Sequence, residues 1–144
     1  MEKENILVSA CFVDYGYKYS GGANINEKII GLSEKYDFIL ICPEVFGGLP
    51  TPRPASEIVG DKVKNIIGED VTINFKTGAE KALELAIKHN CKKAILKAKS
   101  PSCGKGVIYD GTFSHKAVSG NGVAANLLIA HGIEVFTEDE LDKL

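Results

Sequence analysis

At 144 residues, with 44% hydrophobic and 25% charged side chains, the chain has the balance of a globular domain, not of a disordered, collagen-like or coiled-coil protein. A net charge of −2 lacks the basic excess of a nucleic-acid binder, and no apolar run approaches the ~20 residues that span a bilayer. The opening stretch Met1-Glu2-Lys3-Glu4-Asn5 has no long apolar segment of a secretion signal, so a cytoplasmic location is expected.

Ile6 to Cys11 is a compact apolar run and predicts a buried first strand. Asn24 to Tyr36 predicts a helix with Ile25, Ile29, Leu32 and Tyr36 on one face, opened by Asn24 and Glu27 in capping-box spacing. Phe38 to Ile41 predicts a second buried strand, stopped by Cys42-Pro43. The stretch from Val45 to Gly68 is irregular and reads as a functional excursion. Val71, Phe75, Ala79, Leu83 and Ile87 recur every fourth residue and predict a helix from about Val71 to His89, at a cost near 1 kcal/mol for Gly78, with a strand over Val71 to Phe75 as the alternative for its start.

Ala94 to Lys97 follows as a third strand. Val107 to Tyr109 and Thr112-Phe113 flank Asp110-Gly111, a dipeptide suited to a two-residue hairpin turn. Asn121 to Ala130 predicts a helix ended by Gly132, Ile133 to Phe136 a fourth strand, and Thr137 with Glu140 a capped final turn. Strand and helix alternate throughout. The expected fold is therefore α/β: a single three-layer domain over residues 1–144, with a mainly parallel sheet and helices on both faces.

The chain carries four cysteines, and reducing compartments keep thiols free, so metal ligation, catalysis or plain packing must explain them. Cys11 ends the first strand, Cys42 ends the second and Cys103 lies just beyond the third. Ligand sites of open parallel sheets lie at that carboxyl edge. Cys91 precedes the third strand, at the amino edge, and reads as a small buried apolar residue. Three thiolates leave one position of a metal centre open, and either zinc or a 4Fe–4S cluster suits soft thiolates. Glu44, two residues after Cys42, is placed to position water or move protons. Ser100 and Ser102 bracket Pro101 beside Cys103, with turn chemistry favoured for Ser102. Lys97, Lys99 and Lys105 crowd the same strand end. Gly21-Gly22 and Ser119-Gly120-Asn121-Gly122 precede helices whose free N–H groups attract polar ligand edges. Arg53, between Pro52 and Pro54, is the only arginine among 17 basic residues. His89 and His131 close helices and His115 lies in a loop; all three read as structural.

Four blocks recur in order in a known family. They are Ser9-Ala10-Cys11; Cys42-Pro43-Glu44 through Gly47-Gly48-Leu49 to Pro52-Arg53-Pro54-Ala55; Leu96-Lys97 with Ser100-Pro101-Ser102-Cys103-Gly104; and Gly120-Asn121-Gly122-Val123. The chain resembles domain-of-unknown-function family 523 in its short form, whose characterised members are thiouracil desulfidases.

The resemblance implies a Rossmann-like domain that holds a 4Fe–4S cluster through Cys11, Cys42 and Cys103. It implies catalytic roles for Glu44 and Ser100, and substrate contacts from Lys18, Tyr19, Gly47, Gly48, Arg53, Ser102, Gly120 and Asn121. Lys18-Tyr19-Ser20-Gly21 stands where the family commonly carries Arg-Tyr-Asp/Asn-Gly, and lysine does not reproduce the arginine fork. The implied reaction is non-redox desulfuration of a thiolated pyrimidine with water, on a small molecule and without nucleic acid or membrane. The rival expectations are a zinc-dependent hydrolase built on the same cysteines and a non-catalytic nucleobase or iron–sulfur binding module.

Overall fold

The computed structural model describes residues 3–144; Met1 and Glu2, part of the opening stretch read above, lie outside the described residues. Four strands, β1 (Glu4–Ser9), β2 (Tyr36–Ile41), β5 (Lys93–Leu96) and β8 (Glu134–Thr137), form the central sheet in the order β2-β1-β5-β8. Every pairing in it is parallel. Two antiparallel ribbons accompany it, β3 (Ser56–Val59) with β4 (Lys62–Asn65), and β6 (Val107–Tyr109) with β7 (Ala117–Ser119).

Successive strand residues point to opposite faces, and both faces are covered, which is why the strands read as unbroken apolar runs. On one face Leu7, Ala94, Leu96 and Val135 pack against Ala82 and Ala86 of helix α3 (Thr72–Lys88) and Ala125 and Leu128 of helix α4 (Val123–Ala130). On the other, Ile6, Val8 and Ile95 pack against Phe12, Ile29 of helix α1 (Glu27–Gly31), Leu32 and the carboxyl-terminal Leu141 and Leu144. The expected three-layer α/β arrangement is present. Among the described residues no helix is long and apolar enough to cross a membrane.

The long helix expected from about Val71 to His89 runs from Thr72 to Lys88, with Val71 and His89 as its flanking caps. Its Gly78 is not a tolerated cost. A Cβ there would lie 1.7 Å from the Pro43 carbonyl oxygen, and one on Gly47 would lie 1.9 Å from the Asn74 oxygen. The short helix α2 (Pro43–Phe46) thus crosses α3 with backbone on backbone.

Three expectations need correction. The helix expected over Asn24–Tyr36 begins at Glu27, capped by the Asn26 carboxamide, which accepts from the Ile29 N–H (3.1 Å). It ends at Gly31, continued by a 3₁₀ turn at Leu32–Glu34. Asn24 cannot begin it because its own N–H is held by the Cys11 carbonyl (2.8 Å), and Tyr36 leaves it to pair with Glu4 in the sheet. The Asp110-Gly111 hairpin turn is absent: β6 pairs with Ala117–Ser119, not with Thr112-Phe113. Asp110 Oδ1 instead folds back to accept from the Thr112 N–H (3.0 Å), and the buried Glu57 carboxylate accepts from the Gly111 N–H (3.0 Å) and the Phe113 N–H (3.2 Å). The excursion from Val45 to Gly68 is built, not irregular, for it contains the β3–β4 ribbon, whose strands of four residues each are too short to show alternation.

Candidate functional site

The chain steps from β1 outward to β2, then returns past β1 to β5. The loops after β1 and β5 therefore leave in opposite directions and open a crevice at the carboxyl edge. Cys11 lies in the 3₁₀ turn Ala10–Phe12 after β1, Cys42 caps α2 after β2, and Cys103 follows β5. All four cysteines are free. Burial pushes the Cys11 and Cys42 thiols up, and pushes Cys103 up to about 12. Charge on Cys11 opposes charge on Cys42, and charge on either opposes it on Cys103, so the three sulfurs lie within electrostatic reach of one another. Cys91 is apart from them: burial and then the Glu4 charge push it up to about 11, and it is buried at the amino edge as expected.

Each thiol has a neighbour that holds it. Asn24 Nδ2 donates to Cys11 Sγ (3.5 Å), and Cys42 Sγ donates to the Tyr17 carbonyl (3.6 Å). The hydroxyls of Ser9 and Ser102 lie beside Cys103, with Ser102 Oγ 3.7 Å from its Sγ. Ser9 and Asn24 were not singled out as site residues. Nothing in their spacing marks them, since both reach the sulfurs only through the fold.

Glu44, in the first turn of α2, meets the cysteine loop directly. Arg53 Nε donates to its Oε1 (3.1 Å) and Ser102 Oγ donates to its Oε2 (3.0 Å). Ser102 Oγ lies 3.0 Å from Ser100 Oγ, and Ser100 Oγ accepts from the N–H groups of Ser102 (3.1 Å) and Cys103 (3.0 Å). The two expected catalytic residues are thus brought together, with Ser102 between them.

The expected substrate contacts divide. Lys18 is half-buried and Tyr19 exposed, on a loop whose Tyr19 carbonyl accepts from the Arg53 N–H (2.7 Å). The Arg53 side chain is 4% exposed and its fork is already spent: Nη2 donates to the Tyr17 carbonyl (2.8 Å) and Nη1 to Thr51 Oγ1 (3.0 Å), besides the Glu44 bond. It builds the site instead of reaching into it. Ser102, 2% exposed, is likewise walled in. Gly47 serves the α2–α3 crossing, and Gly48, at φ +92, turns the chain after it. Asn121 Oδ1 accepts from the Gly106 N–H (2.7 Å), and Gly120 packs on Ile108.

The N–H groups of Val123, Ala124 and Ala125 at the start of α4 are consumed by the Pro101 and Ser102 carbonyls (2.9, 2.9 and 3.0 Å), so that helix end is no free anion site. Gly21-Gly22 lies too far before Glu27 to present the N-terminus of α1. The lysines at the edge are partly neutralised, Lys97 by Glu138 (2.7 Å) and Lys105 by Glu140 (3.0 Å).

Three free thiols at one sheet edge with raised pKa values fit a metal-bearing group, because a bound metal supplies the positive charge that stabilises thiolates in a buried site. Among the described residues no three His, Cys, Asp or Glu side chains converge to hold a single ion. By their chemistry, three soft thiolates would hold either a 4Fe–4S cluster or a zinc ion.

The chain is similar to known proteins in sequence and fold. A family model described as 2-thiouracil desulfurase matches residues 6–140. A Bacillus subtilis (strain 168) protein described only as the uncharacterized protein YbbK is 40% identical over 149 residues, covering 96% of this chain and 99% of its own. The solved structure of TudS, a [4Fe-4S]-dependent thiouracil desulfidase, superposes with a TM-score of 0.91 at 42% identity, covering 99% of this chain and 95% of its own. With a family model spanning nearly its whole length and a fold shared with TudS, the chain belongs to the 2-thiouracil desulfurase family.

Proposed function

We propose that this chain is an enzyme that removes the sulfur of a thiouracil-type pyrimidine with water and without net redox change, releasing the oxo-base and hydrogen sulfide. The observation that carries the reading is the meeting, at one sheet edge, of three free thiols with a carboxylate fixed on both oxygens. The family and the likeness to TudS support it. We read residues 1–144 as one desulfidase-like domain that acts in the cytoplasm on a small molecule, be it base, nucleoside or nucleotide.

Cys11, Cys42 and Cys103 would hold the 4Fe–4S cluster, whose iron left free of cysteine supplies a thiophilic Lewis acid. The remaining work falls to the protein. Glu44 accepts a proton from the attacking water at a carboxylate whose orientation Arg53 fixes. Ser100 holds the substrate through its hydroxyl, whose oxygen is pinned by two backbone N–H groups. Lys18 and Tyr19, on the loop that Arg53 ties down, would contact the substrate.

Anaerobically prepared protein tests this. Brown protein with about four iron and four sulfide per chain, converting 2-thiouracil to uracil with release of sulfide, is the expected result. Colourless protein that binds zinc, or a loaded cluster with no turnover, would overturn it in favour of the zinc hydrolase or the binding module respectively.

A further inference from the structure

We propose that Ser102 is a positioning residue that joins Ser100 and Glu44 into one proton-conducting unit without itself touching substrate. The inference rests on the desulfidation reading above. Its basis is the count of protons and lone pairs on Ser100, Ser102 and Glu44.

Ser100 Oγ accepts two backbone N–H groups, from Ser102 and Cys103, so its oxygen is fixed and only its own proton is free to swing. The one Ser102 proton has two acceptors in reach, Cys103 Sγ at 3.7 Å and Glu44 Oε2 at 3.0 Å, and the nearer, charged carboxylate, which can only accept, takes it. That commits the Ser100 proton to Ser102 Oγ, also at 3.0 Å. At rest the chain therefore runs Ser100 to Ser102 to Glu44, and Arg53 on Oε1 keeps the carboxylate facing the serines.

The same three oxygens run the other way once Glu44 has taken a proton. Water gives a proton to Glu44. The carboxyl passes a proton from Oε2 to Ser102 Oγ, Ser102 passes its own to Ser100 Oγ, and Ser100 passes its own to the substrate. The three side chains end as they began, so the step balances with water as its source and the substrate as its acceptor. No part of this requires Ser102 to be exposed, and at 2% exposure it is not. Its burial keeps solvent water from competing for its own two hydrogen bonds.

The test compares the wild type with Ser102→Ala, Ser102→Thr and the Ser100→Ala/Ser102→Ala double variant, prepared anaerobically at matched iron and sulfide content. Ser102→Ala is expected to lower kcat for 2-thiouracil about 100-fold, the size of a lost acid–base function, with KM within about threefold. Ser102→Thr, which restores the hydroxyl, is expected to recover most of the rate. The double variant should be no slower than Ser100→Ala alone, because a chain cut twice conducts no less than a chain cut once.

A second readout needs no turnover. The infrared difference between each protein and its Glu44→Gln counterpart isolates the Glu44 carboxylate band, which should shift in Ser102→Ala and return in Ser102→Thr. A Ser102→Ala enzyme at wild-type kcat with an unmoved band would overturn the proposal, as would losses that multiply in the double variant. If Ser102→Ala fails to hold iron, a loaded but slow Ser102→Thr enzyme overturns it equally. A wild type that leaves thiouracil untouched would fail the desulfidation reading alone, while the band still tests the bridge.

Discussion

Glu44 and Arg53 form an ion pair of which neither member is free to move, with side chains 14% and 4% exposed. Glu44→Gln keeps the shape of the side chain and removes the base, and is expected to lower kcat about 100-fold or more with iron content unchanged, read from steady-state rates at matched absorbance. Arg53→Lys keeps the charge but not the fork that reaches Glu44, Thr51 and Tyr17 together. The loss of charge-assisted bonds in a buried site should cost about 2 kcal/mol in denaturant unfolding. Cys91→Ser is expected to leave iron content as it was, whereas Cys11→Ser should lower it, as metal analysis of the two purified proteins will tell. That separation was legible in the sequence, because strand position alone distinguishes the amino from the carboxyl edge. The task of Arg53 was not: one arginine between two prolines says that a residue is special, not which way it points.

Among the elements, the crossing of α2 over α3 depends on Gly47 and Gly78. By helix propensity alone, Gly78→Ala should stabilise α3 by about 1 kcal/mol. The Pro43 carbonyl stands where the new methyl would go, so the expected sign is the reverse, a loss of about 1–3 kcal/mol from overpacking. Thermal unfolding of Gly78→Ala decides between the two. Since α2 carries Glu44 between Cys42 and the crossing, the variant should also lose rate at unchanged substrate affinity. The long helix was legible because it spans enough residues to display its period, and the four parallel strands because burial on both faces makes them apolar runs. The β3–β4 ribbon and the β6–β7 pairing were not, because three or four residues show no period and β6 finds its partner across a loop. That loop is shaped by Glu57, a side chain far away in sequence.

At the scale of the whole molecule, the carboxyl terminus is fastened to the site by Glu140. Burial would raise its carboxyl, but the Lys105 hydrogen bond, the Thr137 N–H and the Lys105 and Lys143 charges outweigh it and hold it below the ordinary carboxylate value. Its bonds to Lys105 (3.0 Å) and to the Thr137 N–H (3.1 Å) close the final turn against the segment that follows Cys103. A folded-state pKa depressed below the unfolded one gives stability that is present above the ordinary carboxylate range and lost as the pH falls through the depressed value. Glu140→Gln should therefore be less stable than the wild type at neutral pH, with the gap closing in acid, as paired unfolding curves across that range will show.

The three site cysteines hang from three different strands, and the last of those strands docks beside the first. A ribosome must have released the chain well past Cys103 before β5 can take its place next to β1 and bring the third thiol to the other two. Any cofactor loading consequently waits until most of the polypeptide has been synthesised, and a nascent chain stalled before that point offers at most two of the three ligands.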